Sequence, residues 1–302
     1  QITGEARFAD MTELALYNSV LSGTDLRGTN FNYTNPLRVD DSLTYTLRWS
    51  KERVPYIAWS NCCPPNLVRT VSEVNNYAYS LSSRGVWINL YGSNTLATEL
   101  ADGSEIVLRQ ETEYPWKGDV NIFIEKSSEK PFEVGFRIPA WAESASITVN
   151  GDLEIDSAHG GQYVTVQRLW LKDDVIALTL PMDVQLIESN PLVEETRNQI
   201  AVKRGPLVYC IESPDLPGSR IFNVIIPSGI QLHPVEMEIE ETAVLALEGK
   251  AFIQKADPWE GSLYRPISGS GTLEELEIRL IPYFAWGNRG PSEMSVWMPV
   301  NK

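Results

Sequence analysis

Val86-Trp87-Ile88-Asn89-Leu90-Tyr91 is where the periodicity of the chain changes from helical to strand-like. Before Gly85 apolar residues recur at every third or fourth position, and after it they alternate with polar residues. Turn sequences such as Asp102-Gly103 and Asn150-Gly151 separate six further strand-like segments: Glu105–Leu108, Asp119–Ile124, Phe132–Ile138, Ala145–Val149, Tyr163–Gln167 and Val175–Leu180. Strands at this spacing without intervening helices predict an antiparallel β-sandwich over residues 84–188.

A second block of strand-like segments follows Pro181–Pro191, which we interpret as a bridge. Its members are Gln199–Lys203, Leu207–Glu212, Ile221–Ile226, Val235–Glu240, Thr242–Leu247, Phe252–Gln254, Glu275–Pro282 and Met294–Met298. They predict a second antiparallel β-sandwich over residues 189–302.

Residues 1–83 have a different texture. Glu5–Ser22 and Leu67–Leu81 show helical periodicity, and Thr44–Trp49 in the irregular connection is a candidate strand. Asp10 and Glu13 lie three residues apart on one face of the first helix, which at this spacing we expect to be a solvated face. Two helices alone cannot bury their apolar sides, so they either dock on the strands or end a larger helical domain.

Composition narrows the function classes. Apolar residues make up 43% of the 302, and 40 acidic against 25 basic side chains give a net charge of −15. Binding to nucleic acid or to an anionic membrane surface requires basic patches, so we expect neither partner. We also expect no insertion into a membrane, because no apolar run approaches the roughly 18–20 residues needed to span one. A homodimer stays open.

Cys62-Cys63 is the sharpest chemical feature. Pro64-Pro65-Asn66 and a helical pattern follow it, so both thiols are expected at or just before a helix N-terminus, whose partial positive charge favours the thiolate. A thiolate is a soft metal ligand and a strong nucleophile. Taken alone, the pair is also compatible with buried structural cysteines. Cys210 lies within an apolar strand and is expected to be an inert, buried thiol.

Five segments in this order resemble one family. They are Gly4–Asn18, Phe31-Asn32-Tyr33-Thr34-Asn35-Pro36-Leu37, Cys62-Cys63-Pro64-Pro65-Asn66, Arg204–Cys210 and Ile281–Gly290. Together they resemble the bacterial glycoside hydrolases typified by non-reducing-end β-L-arabinofuranosidase, and the resemblance spans nearly the whole chain.

The resemblance implies an α+β multidomain fold: the C-terminal part of an (α/α)6 barrel in residues 1–83, followed by the two β-sandwiches. It implies retaining hydrolysis, with Cys62 as nucleophile and zinc ligand and Cys63 as a second zinc ligand. Tyr33 is a candidate substrate contact, with plain loop packing as the alternative. Ser60 stands where many relatives have cysteine.

The resemblance also places a Glu-x-Cys zinc motif and the acid/base glutamate upstream of Gln1. The chain opens Gln1-Ile2-Thr3-Gly4, without Met, and we expect the gene product to start earlier and this fragment alone to be inactive. A periplasmic or secreted location is slightly favoured over a cytoplasmic one. Two alternatives remain: a non-catalytic β-sandwich module for carbohydrate binding or assembly, and the same fold acting on another rare sugar.

Overall fold

A computed structural model describes residues 3–40, 52–56, 62–255, 263–266 and 272–301. They fall into two compact units, which comprise residues 1–17, 65–183 and 204–207, and residues 18–64, 184–203 and 208–302. The candidate strand Thr44–Trp49 and Ser60 lie outside the described residues. Across the described part, the chain is mostly β-structure with few helices.

The N-terminal segment is helical over most of the predicted stretches, but Tyr79–Leu81, predicted as the end of the second helical stretch, forms a strand. Its elements are α1 (Ala6–Leu14), β1 (Asn30–Phe31), β2 (Arg38–Val39), β3 (Val54–Pro55), α2 (Cys63–Ser72), α3 (Asn75–Ala78) and β4 (Tyr79–Leu81). The first helix continues as a π-helix over Ala15–Val20 and a 3-10 turn over Leu21–Gly23. The second helical stretch ends before Gly85, because Tyr79–Leu81 pairs with the next strand. No helix of the described segments is long and apolar enough to cross a membrane.

The face that α1 buries is the acidic one. Glu13 is only 2% exposed, whereas Phe8 and Met11 are 43% and 67% exposed. The expectation that Asp10 and Glu13 form a solvated face is therefore wrong. The physical reason is Arg137, a fully buried arginine that forms ion pairs with both carboxylates.

The first unit contains a two-sheet sandwich. Its remaining strands are β5 (Gly85–Ile88), β6 (Asn94–Glu99), β7 (Glu105–Thr112), β8 (Asp119–Lys126), β9 (Phe132–Ile138), β10 (Ala145–Val149), β11 (Asp152–Ala158), β12 (Gln162–Arg168) and β13 (Val175–Thr179). All seven strands predicted here are confirmed, and β6 and β11 are additional. The sheets have the orders β11-β10-β13-β8-β7-β6 and β12-β9-β5-β4, and their buried side chains form one apolar cluster. The pair β5–β9 is parallel, in a sandwich that is otherwise antiparallel as expected.

The strands of the C-terminal part are β14 (Val184–Glu188), β15 (Gln199–Arg204), β16 (Leu207–Glu212), β17 (Val224–Pro227), β18 (His233–Ile239), β19 (Thr242–Lys255), β20 (Thr272–Pro282), β21 (Met294–Ser295) and β22 (Met298–Asn301). They hydrogen-bond as one sheet in the order β14-β15-β22-β17-β19-β20-β16-β21-β2, with β18 paired to β19. The second sandwich was expected to be antiparallel, but its pair β17–β22 is parallel. Two segments predicted as separate strands form the single strand β19, and the predicted bridge contains β14. Ile221–Asn223 is a 3-10 turn rather than the start of a strand.

Candidate functional site

The two adjacent cysteines lie at the start of α2. Cys62 is exposed and directly precedes the helix, and Cys63 is its first residue. Pro64 and Pro65 fit the first turn, where their missing N–H groups leave no helical hydrogen bond unmade. The prediction that the thiols lie at a helix N-terminus is confirmed. The helix dipole therefore favours the ionised sulfur at this position.

The geometry of the cysteine pair fits two of the ligands of a zinc ion. The Sγ atoms of Cys62 and Cys63 are 3.4 Å apart. Zinc binds thiolates at about 2.3 Å, so two sulfurs on one ion lie within about 4.6 Å of each other. Among the residues that the structure describes, no group of three or more Cys, His, Asp or Glu side chains converges. The described part of the chain thus offers half of the four-ligand shell that zinc usually takes.

Tyr33 lies in the loop that follows β1, and only 8% of it is exposed. Its hydroxyl is buried without a hydrogen-bond partner among the described residues, and so is the Nδ2 of neighbouring Asn32. A buried polar group left without a partner costs about 1–3 kcal/mol, so such groups point to a partner beyond the described atoms. Sequence reasoning identified Tyr33 but missed Asn32, because nothing in an Asn-rich loop distinguishes this asparagine.

The structure places Tyr33 and the cysteines in the same unit. A short antiparallel ribbon connects their segments: β1, which leads into the Tyr33 loop, pairs with β3, which precedes the cysteines in sequence. The described contacts do not join Tyr33 to either sulfur. Their roles in one site therefore remain proposals.

A buried ionic cluster in the first unit is the feature that sequence reasoning missed most clearly. Arg137 lies 2.5 Å from Glu13 Oε1 and 2.5 Å from Asp10 Oδ1. Glu13 also accepts hydrogen bonds from the Tyr114 hydroxyl at 2.5 Å and the Trp141 indole at 3.2 Å. Burial alone would lower the pKa of Arg137, but the Glu13 carboxylate, Tyr114 and Tyr91 together outweigh burial and raise it. The sequence signal was an arginine as the penultimate residue of the largely apolar strand Phe132–Ile138.

The pKa values of Asp10 and Tyr114 in the same cluster are shifted as well. Burial raises the pKa of Asp10, even though Arg137 opposes the shift. Burial, with the Glu13 charge added, raises the pKa of Tyr114 well above its usual value. The tyrosine therefore stays a neutral donor to Glu13. This arrangement fixes α1 on the sheet that contains Arg137.

Comparison with known proteins identifies the family domain by domain. Residues 1–76 match the profile described as "Beta-L-arabinofuranosidase, GH127 catalytic domain", and residues 85–182 match the GH127 middle domain. Residues 184–299 match the "Glycoside hydrolase family 127 C-terminal domain". The fold and the three domain matches therefore define the class of protein, which is a glycoside hydrolase.

Individual relatives agree. The non-reducing end beta-L-arabinofuranosidase of Bifidobacterium longum is 29% identical over 97% of this chain and 45% of its own length. A solved GH127 beta-L-arabinofuranosidase from Geobacillus stearothermophilus T6 matches with a TM-score of 0.90 at 33% identity, over 99% of this chain and 47% of its own. A structure named "Glycoside hydrolase" matches with a TM-score of 0.94 at 50% identity, over 100% and 50%. The chain belongs to glycoside hydrolase family 127, and it spans about half the length of these relatives.

Proposed function

We propose that this chain is the C-terminal part of a retaining glycoside hydrolase that releases β-linked L-arabinofuranose from plant glycans or glycoproteins. The relatives named above support the substrate class. The observation that carries the chemistry is the exposed Cys62 sulfur at the start of α2, 3.4 Å from Cys63. A module that only binds carbohydrate has no need of two thiols at a helix N-terminus.

Residues 1–83 are proposed as the last part of an (α/α)6 barrel, followed by β-sandwich domains over 84–188 and 189–302. The exposure of the helices supports the first assignment. Phe8 and Met11 of α1, and Val68 and Val71 of α2, are exposed, although they form the apolar sides of their helices. A helix that exposes its apolar side is expected to pack against further protein. The relatives are about twice as long as this chain, and their additional residues would provide such a partner.

Cys62 would act as the nucleophile and Cys63 as a zinc ligand beside it. When bound, the zinc ion would keep both sulfurs ionised near neutral pH. The Cys62 sulfur would attack the anomeric carbon, so that a sulfur–carbon bond forms while the bond to the leaving oxygen breaks. A carboxylic acid outside this chain would protonate that oxygen and then deprotonate the water that cleaves the sulfur–carbon bond. Two such displacements retain the anomeric configuration.

Tyr33 is proposed to donate a hydrogen bond to a hydroxyl group of the sugar. Its own hydroxyl is buried and has no partner within the described residues, so a bound sugar hydroxyl would remove an unfavourable burial.

The test uses the full-length protein and an aryl β-L-arabinofuranoside. Cys62→Ser is expected to lower kcat by more than about 1000-fold, because a serine hydroxyl is a much weaker nucleophile at neutral pH. Cys210→Ala serves as the matched control, since Cys210 is a buried thiol inside β16 and should leave kcat unchanged. Undiminished release of L-arabinose by Cys62→Ser would refute the nucleophile. Faster cleavage of another furanoside would refute the substrate class and favour a different rare sugar.

A further inference from the structure

We propose that Arg53 is a positioning residue that holds the Tyr33 loop, defined as residues 32–37, in the conformation needed for substrate binding. Its link to catalysis rests on the proposed function, since only that function assigns Tyr33 to the sugar. The hydrogen bonds of Arg53 and of the Tyr33 loop all lie within the second unit.

The Tyr33 loop is held from outside by hydrogen bonds on both sides of Tyr33. The backbone N–H of Asn32 donates to the Gly23 carbonyl at 2.9 Å. The Tyr283 hydroxyl donates to the Pro36 carbonyl at 3.0 Å, and the Ser22 hydroxyl donates to Asn35 Oδ1 at 2.6 Å. The position of Tyr33 therefore depends on the segments that contain residues 22–23 and 283.

These two segments are short 3-10 turns, Leu21–Gly23 and Tyr283–Ala285, and Arg53 ties them together. Its guanidinium donates to the Ser22 carbonyl at 3.1 Å, to the Phe284 carbonyl at 3.3 Å and to the Trp286 carbonyl. One side chain thus joins the backbone of both turns that anchor the loop. The two turns that Arg53 joins provide three of the described hydrogen bonds of the loop, and Val296 donates a further one to the Leu37 carbonyl.

Only arginine fits this role chemically. Its planar fork presents several donors in fixed directions, whereas a lysine ammonium is a single point donor on a flexible stem. Burial lowers the pKa of Arg53 to about 10, so it is still charged at neutral pH. Its hydrogen bonds among the described residues all go to carbonyl oxygens. Space is tight as well, because a Cβ added at Gly287 would lie 3.2 Å from Arg53 Nη1.

The Tyr33 hydroxyl needs such support because it makes no hydrogen bond of its own within the described residues. No hydrogen bond from the described residues orients the ring at its tip, so its orientation depends on the packing around it and on the backbone of residues 32–37. A substrate contact that moves by about 1 Å loses much of its contribution. Arg53 would act on substrate binding through the loop, without touching the sugar.

Amide hydrogen exchange on the full-length protein tests the geometric part. In Arg53→Lys, exchange over residues 32–37 is expected to be at least about tenfold faster, since losing the fork loosens both turns. Arg204→Lys is the matched control: Arg204 also donates to a backbone carbonyl, that of Trp116 at 2.9 Å, but in the first unit. Unchanged protection over residues 32–37 in Arg53→Lys would overturn the inference, whatever the activity.

Exchange over β8 shows whether the variant is folded. If Arg53→Lys does not fold, Tyr283→Phe removes one hydrogen bond to the loop and is expected to speed exchange at the amides of Asn35 and Leu37, which flank Pro36. Equal exchange in Tyr283→Phe and wild type would then overturn the inference.

Kinetics separate the inference from the proposed function. Arg53→Ala is expected to lose about tenfold in kcat/KM for the arabinofuranoside, with most of the loss in KM, and added guanidinium ion is expected to restore part of it. A loss entirely in kcat, without rescue, would contradict a positioning role through the substrate contact. If the wild-type protein hydrolyses no arabinofuranoside while exchange changes as expected, the proposed function fails and the loop clamp stands.

Discussion

Replacing Arg137 with methionine is expected to destabilise the first unit strongly. Arg137 is fully buried, and it forms ion pairs with Glu13 and Asp10 and donates to the Asn89 carbonyl. The methionine side chain fills much of the same volume but leaves the buried Glu13 carboxylate and the partly buried Asp10 carboxylate without a cation. Breaking a buried ion pair from one side typically costs about 3–5 kcal/mol.

The same geometry predicts how a second substitution behaves. Glu13→Gln keeps the shape of the side chain and removes its charge, so in the Arg137→Met background it should recover at least about 1.5 kcal/mol. Recovery should be incomplete, because Tyr114 and Trp141 both donate to Glu13 and one amide oxygen replaces two carboxylate oxygens. The double-mutant cycle therefore measures the coupling directly.

Thermal unfolding of the full-length protein, followed by tryptophan fluorescence, is the assay. A loss of 3–5 kcal/mol corresponds to a Tm lower by roughly 10–15 °C for a unit of this size. Arg109→Met is the control, because Arg109 pairs with Glu111 and Glu125 at the surface, where such pairs contribute less than about 1 kcal/mol. If Arg137→Met and Arg109→Met lower Tm equally, α1 is not held by this cluster.

Three further outcomes are expected. Hydrogen bonds from Ser104, with Lys130 beside them, lower the pKa of Asp102 to about 2; its stabilising contribution is thus present above about pH 4 and is lost as pH falls toward 2. Ser104→Ala should raise that pKa in an NMR titration, and an unchanged midpoint would refute the hydrogen-bond cause. Gly135→Ala should destabilise by about 1–3 kcal/mol in urea unfolding, because its Cβ would lie 2.4 Å from the Trp87 ring, whereas Gly92→Ala has free space; equal effects would contradict this. The 302-residue chain alone should show no turnover and bind zinc weakly, and stoichiometric zinc in metal analysis would count against the half-site.

The sandwich could be predicted because a strand that is buried on one side of its sheet has alternating apolar and polar residues in its sequence. Strand β10 was predicted to the residue, and β8 within two residues, and buried residues alternate in both. The strands of the sandwich that were missed, β4, β6 and β11, are edge strands of their sheets. Of their residues only Ala158 is buried, so their sequences lack the apolar positions that mark the other strands.

The orientation of α1 could not be predicted from its own sequence. The rule that the apolar side of a helix faces the core applies only when all the segments that pack against the helix are known. Arg137, the partner that buries Glu13, lies 124 residues further along the chain, and the sequence of the helix itself does not indicate it. The support of the Tyr33 loop is equally non-local, since Pro36 and Tyr283 are 247 residues apart. The position of the cysteine pair was predictable, because the two prolines and the apolar pattern after it mark a helix start.

The most direct measurement is the mass of the Cys62 peptide after the full-length protein reacts with an activated 2-deoxy-2-fluoro-β-L-arabinofuranoside. The fluorine slows hydrolysis of the intermediate, so the proposed mechanism predicts one fluoro-arabinosyl group on Cys62 and none in Cys62→Ser. A label on a carboxylate, or turnover by inversion without any label, would contradict the cysteine nucleophile.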